Sequence, residues 1–97
     1  MILTQEDIKS KLREIKPYLS DKYFVNKIGY FGSYSRNEFN EDSDIDILVE
    51  FVKPIGWDYF LLEEYLEKIF EKKIDLVTPN ALKPQLKKYI LNEVIYI

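Results

Sequence analysis

Two aspartates occupy alternate positions where a polar segment of the chain becomes apolar. Asp44 and Asp46 flank Ile45, and the three residues that follow Asp46 are all aliphatic. Successive side chains of a β-strand point to opposite faces, so these two carboxylates would point to the same side, with their bases ~7 Å apart. Two bare carboxylates this close repel each other unless a cation lies between them. The spacing therefore indicates a metal site.

A third aspartate lies in a later apolar segment. Asp75 stands between Ile74 and Leu76, so in a strand it points away from both. If that strand lies beside the strand of Asp44 and Asp46 with the apolar faces aligned, all three carboxylates share one face of the sheet. Carboxylate oxygens suit Mg²⁺ or Mn²⁺, whose coordination is commonly completed by water and by substrate phosphates.

Asp42 precedes the pair at the same spacing and raises another interpretation. The calcium loop of an EF-hand requires Gly at its sixth position and Glu at its twelfth. Counted from Asp42, those positions hold Ile47 and Lys53, which excludes such a loop. We interpret Asp42 as a turn residue. Asp44 and Asp75 each keep a plainer alternative, as a second turn residue and as a charge on an edge strand.

A Gly-Ser pair upstream of the aspartates indicates an anion site. Gly32 ends an apolar segment, and Ser33 can cap a short helix that runs through Arg36. The free amides at a helix N-terminus suit an anion such as phosphate. The plainer alternative is an ordinary strand-turn-helix in which Arg36 pairs with Glu38 or Asp42. Taken with the carboxylates, the turn favours a nucleoside triphosphate held by amides and neutralised by metal.

The composition restricts the chemistry that is available. The chain has 97 residues, a formal net charge of −3, and neither cysteine nor histidine. Imidazole and thiolate catalysis are excluded, which leaves carboxylates, Lys, Arg, Ser, Tyr or a bound metal. The length predicts one domain over residues 1–97. The acidic balance argues against direct nucleic-acid binding, and the lack of a long apolar run or signal peptide predicts a cytoplasmic protein without membrane contact.

The elements that position these residues follow from apolar periodicity and turn residues. Thr4 is the expected N-cap of a first helix, which should kink or weaken near Pro17. Strands are predicted over 25–31, 44–51 and 74–78, a short helix after Ser33, longer helices over 58–72 and 84–92, and a tail of uncertain type over 94–97. This order predicts an α+β (α/β) domain with a small sheet. Its helices should pack on the face of Ile45 and Ile47, leaving the aspartate face open.

The motifs resemble those of a known superfamily. Gly32-Ser33 followed by Asp44-Ile45-Asp46 is similar to the GS…DxD signature of the DNA polymerase β-like nucleotidyltransferases. The segments GSYSRNEFNEDSDIDILVEF, KKIDLVTPNAL and ILNEVIYI resemble those of the MNT proteins, the minimal nucleotidyltransferases. Genes for these proteins typically lie beside one for a HEPN-domain protein, as the antitoxin of a toxin–antitoxin pair. The resemblance covers nearly the whole chain and implies the small mixed sheet of that fold.

The resemblance also implies a role for each site residue. Asp44 and Asp46 would be ligands of two catalytic Mg²⁺ ions, or of Mn²⁺. Asp75 would be the third carboxylate ligand and the base for the attacking hydroxyl.

The same resemblance assigns the nucleotide. Gly32 and Ser33 would hold the triphosphate of ATP, with Arg36 as a helper. One departure is Asn37, which stands where the family commonly has glycine. Asparagine tolerates left-handed backbone geometry better than most residues, so we expect the turn to be kept.

The implied reaction is AMP transfer from ATP to a tyrosine of a HEPN ribonuclease toxin, with release of pyrophosphate. Two alternatives remain open. The chain could neutralise its partner by complex formation with a vestigial nucleotide site, or it could modify a small molecule or RNA. Trp57, Tyr59 and Tyr65 are either core and rim residues or a partner-binding face.

Overall fold

The computed structural model describes residues 2–97 and places three α-helices and four strands in them. In chain order these are α1 Gln5–Tyr23, β1 Val25–Phe31, β2 Ile45–Phe51, α2 Asp58–Phe70, β3 Ile74–Val77, α3 Pro84–Glu93 and β4 Ile95–Tyr96, with a 3-10 turn at Pro79–Ala81. None of the helices in residues 2–97 has the length and apolar character needed to cross a membrane.

The four strands form one mixed sheet in the order β3-β2-β1-β4. Strand β1 is antiparallel to both β2 and β4. Strands β2 and β3 are parallel. Their connection runs through α2, because a parallel pair needs a crossover rather than a hairpin. The predicted α+β class with a small mixed sheet is confirmed.

One face of the sheet forms the core together with α1 and α2. The register places Ile47 opposite Tyr30 on one side and Leu76 on the other, and all three side chains are buried. Directly opposed residues share a face, so this is the apolar face predicted from the alternation in β2. The helices complete the same cluster with apolar residues spaced three and four apart, namely Ile8, Leu12, Ile15, Leu19, Leu62 and Leu66.

The opposite face of the sheet carries Asp46 and Asp75 and also contains buried apolar side chains. Leu48 and Phe31 point to it and are buried, although neither belongs to the core cluster. The 3-10 turn packs against β2. The aspartate face is therefore open around Asp75, which is exposed, and closed over Leu48.

The structure defines two local features, the extent of α1 around Pro17 and the nature of the C-terminal tail. Helix α1 runs through Pro17 to Tyr23, so the proline does not end it. Buried residues on both sides of Pro17 hold the helix against the core. The tail of uncertain type contains β4, whose Ile95 lies opposite Tyr30. The carbonyl oxygen of Ile97 also accepts a hydrogen bond of 2.7 Å from Lys16 Nζ.

The aromatic residues around the start of α2 divide into two groups. Tyr59 donates its hydroxyl to the carbonyl oxygen of Leu76, and Tyr65 packs beside Tyr18 with ring centroids 5.1 Å apart. Both belong to the rim of the core, which is the plainer of the two interpretations. Trp57 is 83% exposed and remains a candidate contact residue.

Gly29→Ala is expected to displace β4. A Cβ at Gly29 would lie 2.6 Å from the carbonyl oxygen of Ile95, and such overpacking costs roughly 1–3 kcal/mol. Urea unfolding of the two proteins measures the loss. The control is a chain that ends before Ile95. Since that chain has no β4 to displace, Gly29→Ala should cost it little, and an equal cost in both backgrounds would contradict the assigned cause.

Candidate functional site

The pairing of β2 with β3 brings two of the predicted aspartates together. Asp46 and Asp75 are direct partners in the parallel register, so their side chains leave the sheet on the same face. Asp44 lies one residue before β2 and is exposed. The pair is thus supplied by two strands, and the third carboxylate by the end of the loop that precedes β2.

Asp46 is partly buried and lies close to two other carboxylates. Burial, together with the negative charges of Asp75 and Asp44, raises the pKa of the half-buried Asp46 from its ordinary 3.8 to about 6. Arg36 acts in the opposite direction as the smallest of the contributions. A carboxylate under such repulsion gains most from a divalent cation.

The donor set fits a hard cation. The predicted ligands are all carboxylate oxygens, which Mg²⁺ and Mn²⁺ prefer. Within residues 2–97, no group of three acidic side chains is arranged to hold a metal ion as it stands. Asp46 and Asp75 would therefore provide the fixed part of the site. Asp44 would join by a rotamer change, with water and phosphate oxygens completing the shell.

Gly32 lies directly against Asp46. Its backbone φ is +72°, and a Cβ built on it would overlap Oδ2 of Asp46 and lie 3.0 Å from Cγ. Phe31, the preceding residue, is the register partner of Asp46 on β1. The glycine is required twice, for its left-handed backbone and for the close approach of the carboxylate.

The segment after Gly32 differs from the predicted short helix. Residues 32–37 form a turn, in which Arg36 N donates to Gly32 O at 3.2 Å. Glu38 N donates to Ser33 O at 2.8 Å, and the residue before Glu38 donates to Tyr34 O at 3.3 Å. This is the hydrogen-bond pattern of a Schellman motif, which ends a helix after a single turn.

Asn37 occupies the left-handed position of that motif, with φ of 59°. Asparagine is the usual substitute for glycine there, so the expectation that Asn37 keeps the turn is confirmed. At the other end, the N–H groups of Ser33 and Tyr34 donate to no protein acceptor within residues 2–97. These amides remain free to bind an anion beside Asp46.

Arg36 is held by two glutamates. Its Nη1 lies 2.8 Å from Glu93 Oε2, and its Nε lies 3.1 Å from Glu38 Oε2. The pairing with Glu38, one of the alternatives read from the sequence, is confirmed, and Arg36 forms no ion pair with Asp42 within residues 2–97. To reach a phosphate, Arg36 would exchange one of these partners.

Glu93 is a site residue that sequence reasoning missed. It ends α3 and contacts the turn twice, through Arg36 and through the Ser35 hydroxyl at 3.5 Å. The single proton of that hydroxyl is donated to Gly32 O, at 3.0 Å. No periodicity could have indicated Glu93, because the contact joins residues 57 positions apart.

The charge on Asp46 should make the stability of the metal-free protein depend on pH. Below pH 3.8 the carboxyl is protonated in both the folded and the unfolded chain. As pH rises towards 6 the unfolded chain releases the proton first, so the folded state loses stability, by less than about 3 kcal/mol because solvent screens this half-buried group. We expect Asp46→Asn to be more stable than wild type at pH 7.5 and nearly equal to it near pH 3, as measured by urea unfolding. Glu50→Gln, on the same strand face, is the control, and an Asp46→Asn gain that does not change with pH would contradict the account.

Comparison with known proteins shows the family to which the chain is similar. Residues 12–97 match the family model described as nucleotidyltransferase domain. The protein adenylyltransferase MntA of Thermococcus cleftensis is 44% identical over 97 residues, which cover 99% of this chain and 98% of that protein.

Two solved structures are similar in fold. That of a minimal nucleotidyltransferase has a TM-score of 0.79 at 31% identity and covers 95% of this chain and 94% of its own. A toxin–antitoxin structure with AMP-PNP has a TM-score of 0.68 at 24% identity, covering 97% of this chain and 72% of that one. The second likeness shows the fold alone.

Proposed function

Because the chain belongs to the nucleotidyltransferase domain family, we propose that it acts as a metal-dependent protein adenylyltransferase and as the antitoxin of a HEPN/MNT pair. It is a nucleotidyltransferase. It would transfer AMP from ATP to a tyrosine hydroxyl of the HEPN toxin, with release of pyrophosphate. We place this reaction in the cytoplasm.

The observation that carries the proposal is the contact between the turn and the acid pair. Gly32 leaves no room between the turn and the carboxylate of Asp46, and Asp46 is paired in register with Asp75. Anion-binding amides and cation-binding carboxylates are thus neighbours. A nucleotide phosphate chain with its divalent cation combines these two charges.

The chain's own residues suit the reaction. The amides of Ser33 and Tyr34 would bind triphosphate oxygens and orient the α-phosphate. Asp75, exposed at the open side of the sheet, would accept the proton of the attacking tyrosine hydroxyl. The hydroxyl oxygen then bonds to the α-phosphorus as the bond to pyrophosphate breaks. Cations held by Asp44, Asp46 and Asp75 would supply charge stabilisation of the phosphates and a lower pKa for the hydroxyl.

Growth of cells that express the toxin distinguishes catalysis from simple complex formation. We expect the wild-type protein to restore growth and the Asp44→Ala/Asp46→Ala double variant to fail, because the proposed antitoxin acts by modification. The toxin to express is the HEPN-domain protein that the proposal expects a neighbouring gene to encode, and circular dichroism verifies that the double variant is folded. Rescue by the folded double variant would favour the alternative of neutralisation by binding. Equal binding of both proteins to the toxin, with rescue by wild type alone, would support the proposal.

A further inference from the structure

The loop before Asp44 is ordered internally by Asn40. The side-chain Oδ1 of Asn40 accepts from Asp42 N at 2.8 Å, and its carbonyl oxygen accepts from Ser43 N at 3.1 Å. Asn40 N in turn donates to Ser43 Oγ at 2.9 Å. These bonds set the shape of the loop, but each lies within it, so they do not fix its position relative to the sheet.

Lys72 connects this loop to the rest of the site. Its Nζ donates to the carbonyl oxygens of Glu41, at 2.6 Å, and Ser43, at 3.1 Å. An ammonium has three donors and no acceptor, and its hydrogen bonds to carbonyls are charge-assisted. Within residues 2–97, Lys72 forms no ion pair, so its side chain is committed to the loop backbone.

Lys72 belongs to the segment that connects α2 to the strand of Asp75. Lys72 lies between α2 and β3, three residues before Asp75. Its neighbour Lys73 accepts a hydrogen bond of 3.1 Å from Ile45 N through its carbonyl oxygen. The residues on both sides of Asp44 are therefore held by the segment that leads into Asp75.

We propose that Lys72 is a positioning residue that holds Asp44 within reach of the cation shared with Asp46 and Asp75. The inference rests on the proposed function. Asp44 is exposed and of the same charge as its two neighbours, so without the two carbonyl contacts repulsion would move its loop outwards. Lys72 touches neither nucleotide nor metal; it acts through the loop backbone.

Mn²⁺ binding, followed by electron paramagnetic resonance, tests this inference without requiring catalysis. We expect Lys72→Met to weaken binding about 10-fold, a typical effect of losing a residue that orients a metal ligand. Lys73→Met is the matched control, since the Lys73 side chain forms neither an ion pair nor a hydrogen bond within residues 2–97. Lys72→Arg, which keeps cationic donors, should restore most of the affinity. An unchanged affinity in Lys72→Met would overturn the inference.

The Asp44→Asn background and amide exchange separate this role from a general structural one. If Lys72 acts through Asp44, Lys72→Met should have little further effect on Mn²⁺ affinity once Asp44 is Asn. Amide exchange of residues 40–45 should be faster in Lys72→Met than in Lys73→Met, and unchanged in α1. Equal amide exchange of residues 40–45 in Lys72→Met and Lys73→Met would overturn this inference but not the proposed function. The same holds if Lys72→Met weakens Mn²⁺ binding as much in the Asp44→Asn background as in the wild-type protein. Absence of Mn²⁺ binding by the wild-type protein would overturn the proposed function and this inference with it.

Discussion

Asp46→Asn is expected to reduce AMP transfer by about a thousandfold or more, equivalent to about 4 kcal/mol of lost transition-state stabilisation. Asn is nearly isosteric and keeps the shape of the site, but it removes the charge that Asp46 offers to a cation. The rate of transfer from labelled ATP to the partner measures the effect. The same change should stabilise the metal-free fold at neutral pH, because the burial and the neighbouring negative charges that raise the pKa of Asp46 no longer act on a charged group.

The opposed directions of these two effects distinguish a functional carboxylate from a structural one. A structural residue would lose stability and activity together, whereas strain kept for function is relieved when function is lost. Glu50→Gln changes a carboxylate of the same strand that lies away from Asp75, and it should keep its activity. Transfer by Asp46→Asn at more than a tenth of the wild-type rate would contradict the assigned role.

Gly32→Ala is the second change with a large expected effect. The new methyl group would occupy the place of the Asp46 carboxylate, so we expect transfer to fall at least about a hundredfold through displacement of that group. The fold should lose roughly 2–4 kcal/mol, the sum of overpacking and of a left-handed alanine. Transfer assays and urea unfolding measure the two losses.

The chain offers a matched control for Gly32→Ala. Gly56 has a similar φ of +58°, yet a Cβ there would meet nothing within 4 Å. Gly56→Ala therefore carries the backbone cost, roughly 1 kcal/mol, without the clash. In an Asp46→Ala background, which removes the carboxylate, Gly32→Ala should cost no more than Gly56→Ala. A larger loss of stability from Gly32→Ala in that background would show that the new methyl group clashes with a group other than the Asp46 carboxylate.

The strands and helices of this fold could be predicted from local pattern. The strand Val25–Phe31 has the predicted bounds, and β2 begins one residue later than expected. The apolar face of β2 required Asp46 to lie on the other face, and the parallel register brought Asp75 beside it. Such inferences succeed because alternation and turn residues act over a few positions.

The remaining features depend on contacts distant in sequence. The turn after Gly32 is too short for a helix because the Schellman hydrogen bonds close it at Asn37. Leu48 is buried on a face that its aspartate neighbours suggested was open. The contacts of Glu93 and Lys72 with the site join segments that are adjacent only in the folded chain. No local pattern contains that information.

Transfer of label from ATP to the HEPN-domain partner tests the central claim most directly. The purified wild-type protein is incubated with Mg²⁺, the partner and ATP labelled on either its α- or its γ-phosphate, with Asp46→Asn in parallel. We predict a labelled tyrosine on the partner only with wild-type protein and only from the α-labelled ATP. An unlabelled partner in the presence of folded wild-type protein, or equal labelling by Asp46→Asn, would contradict the account.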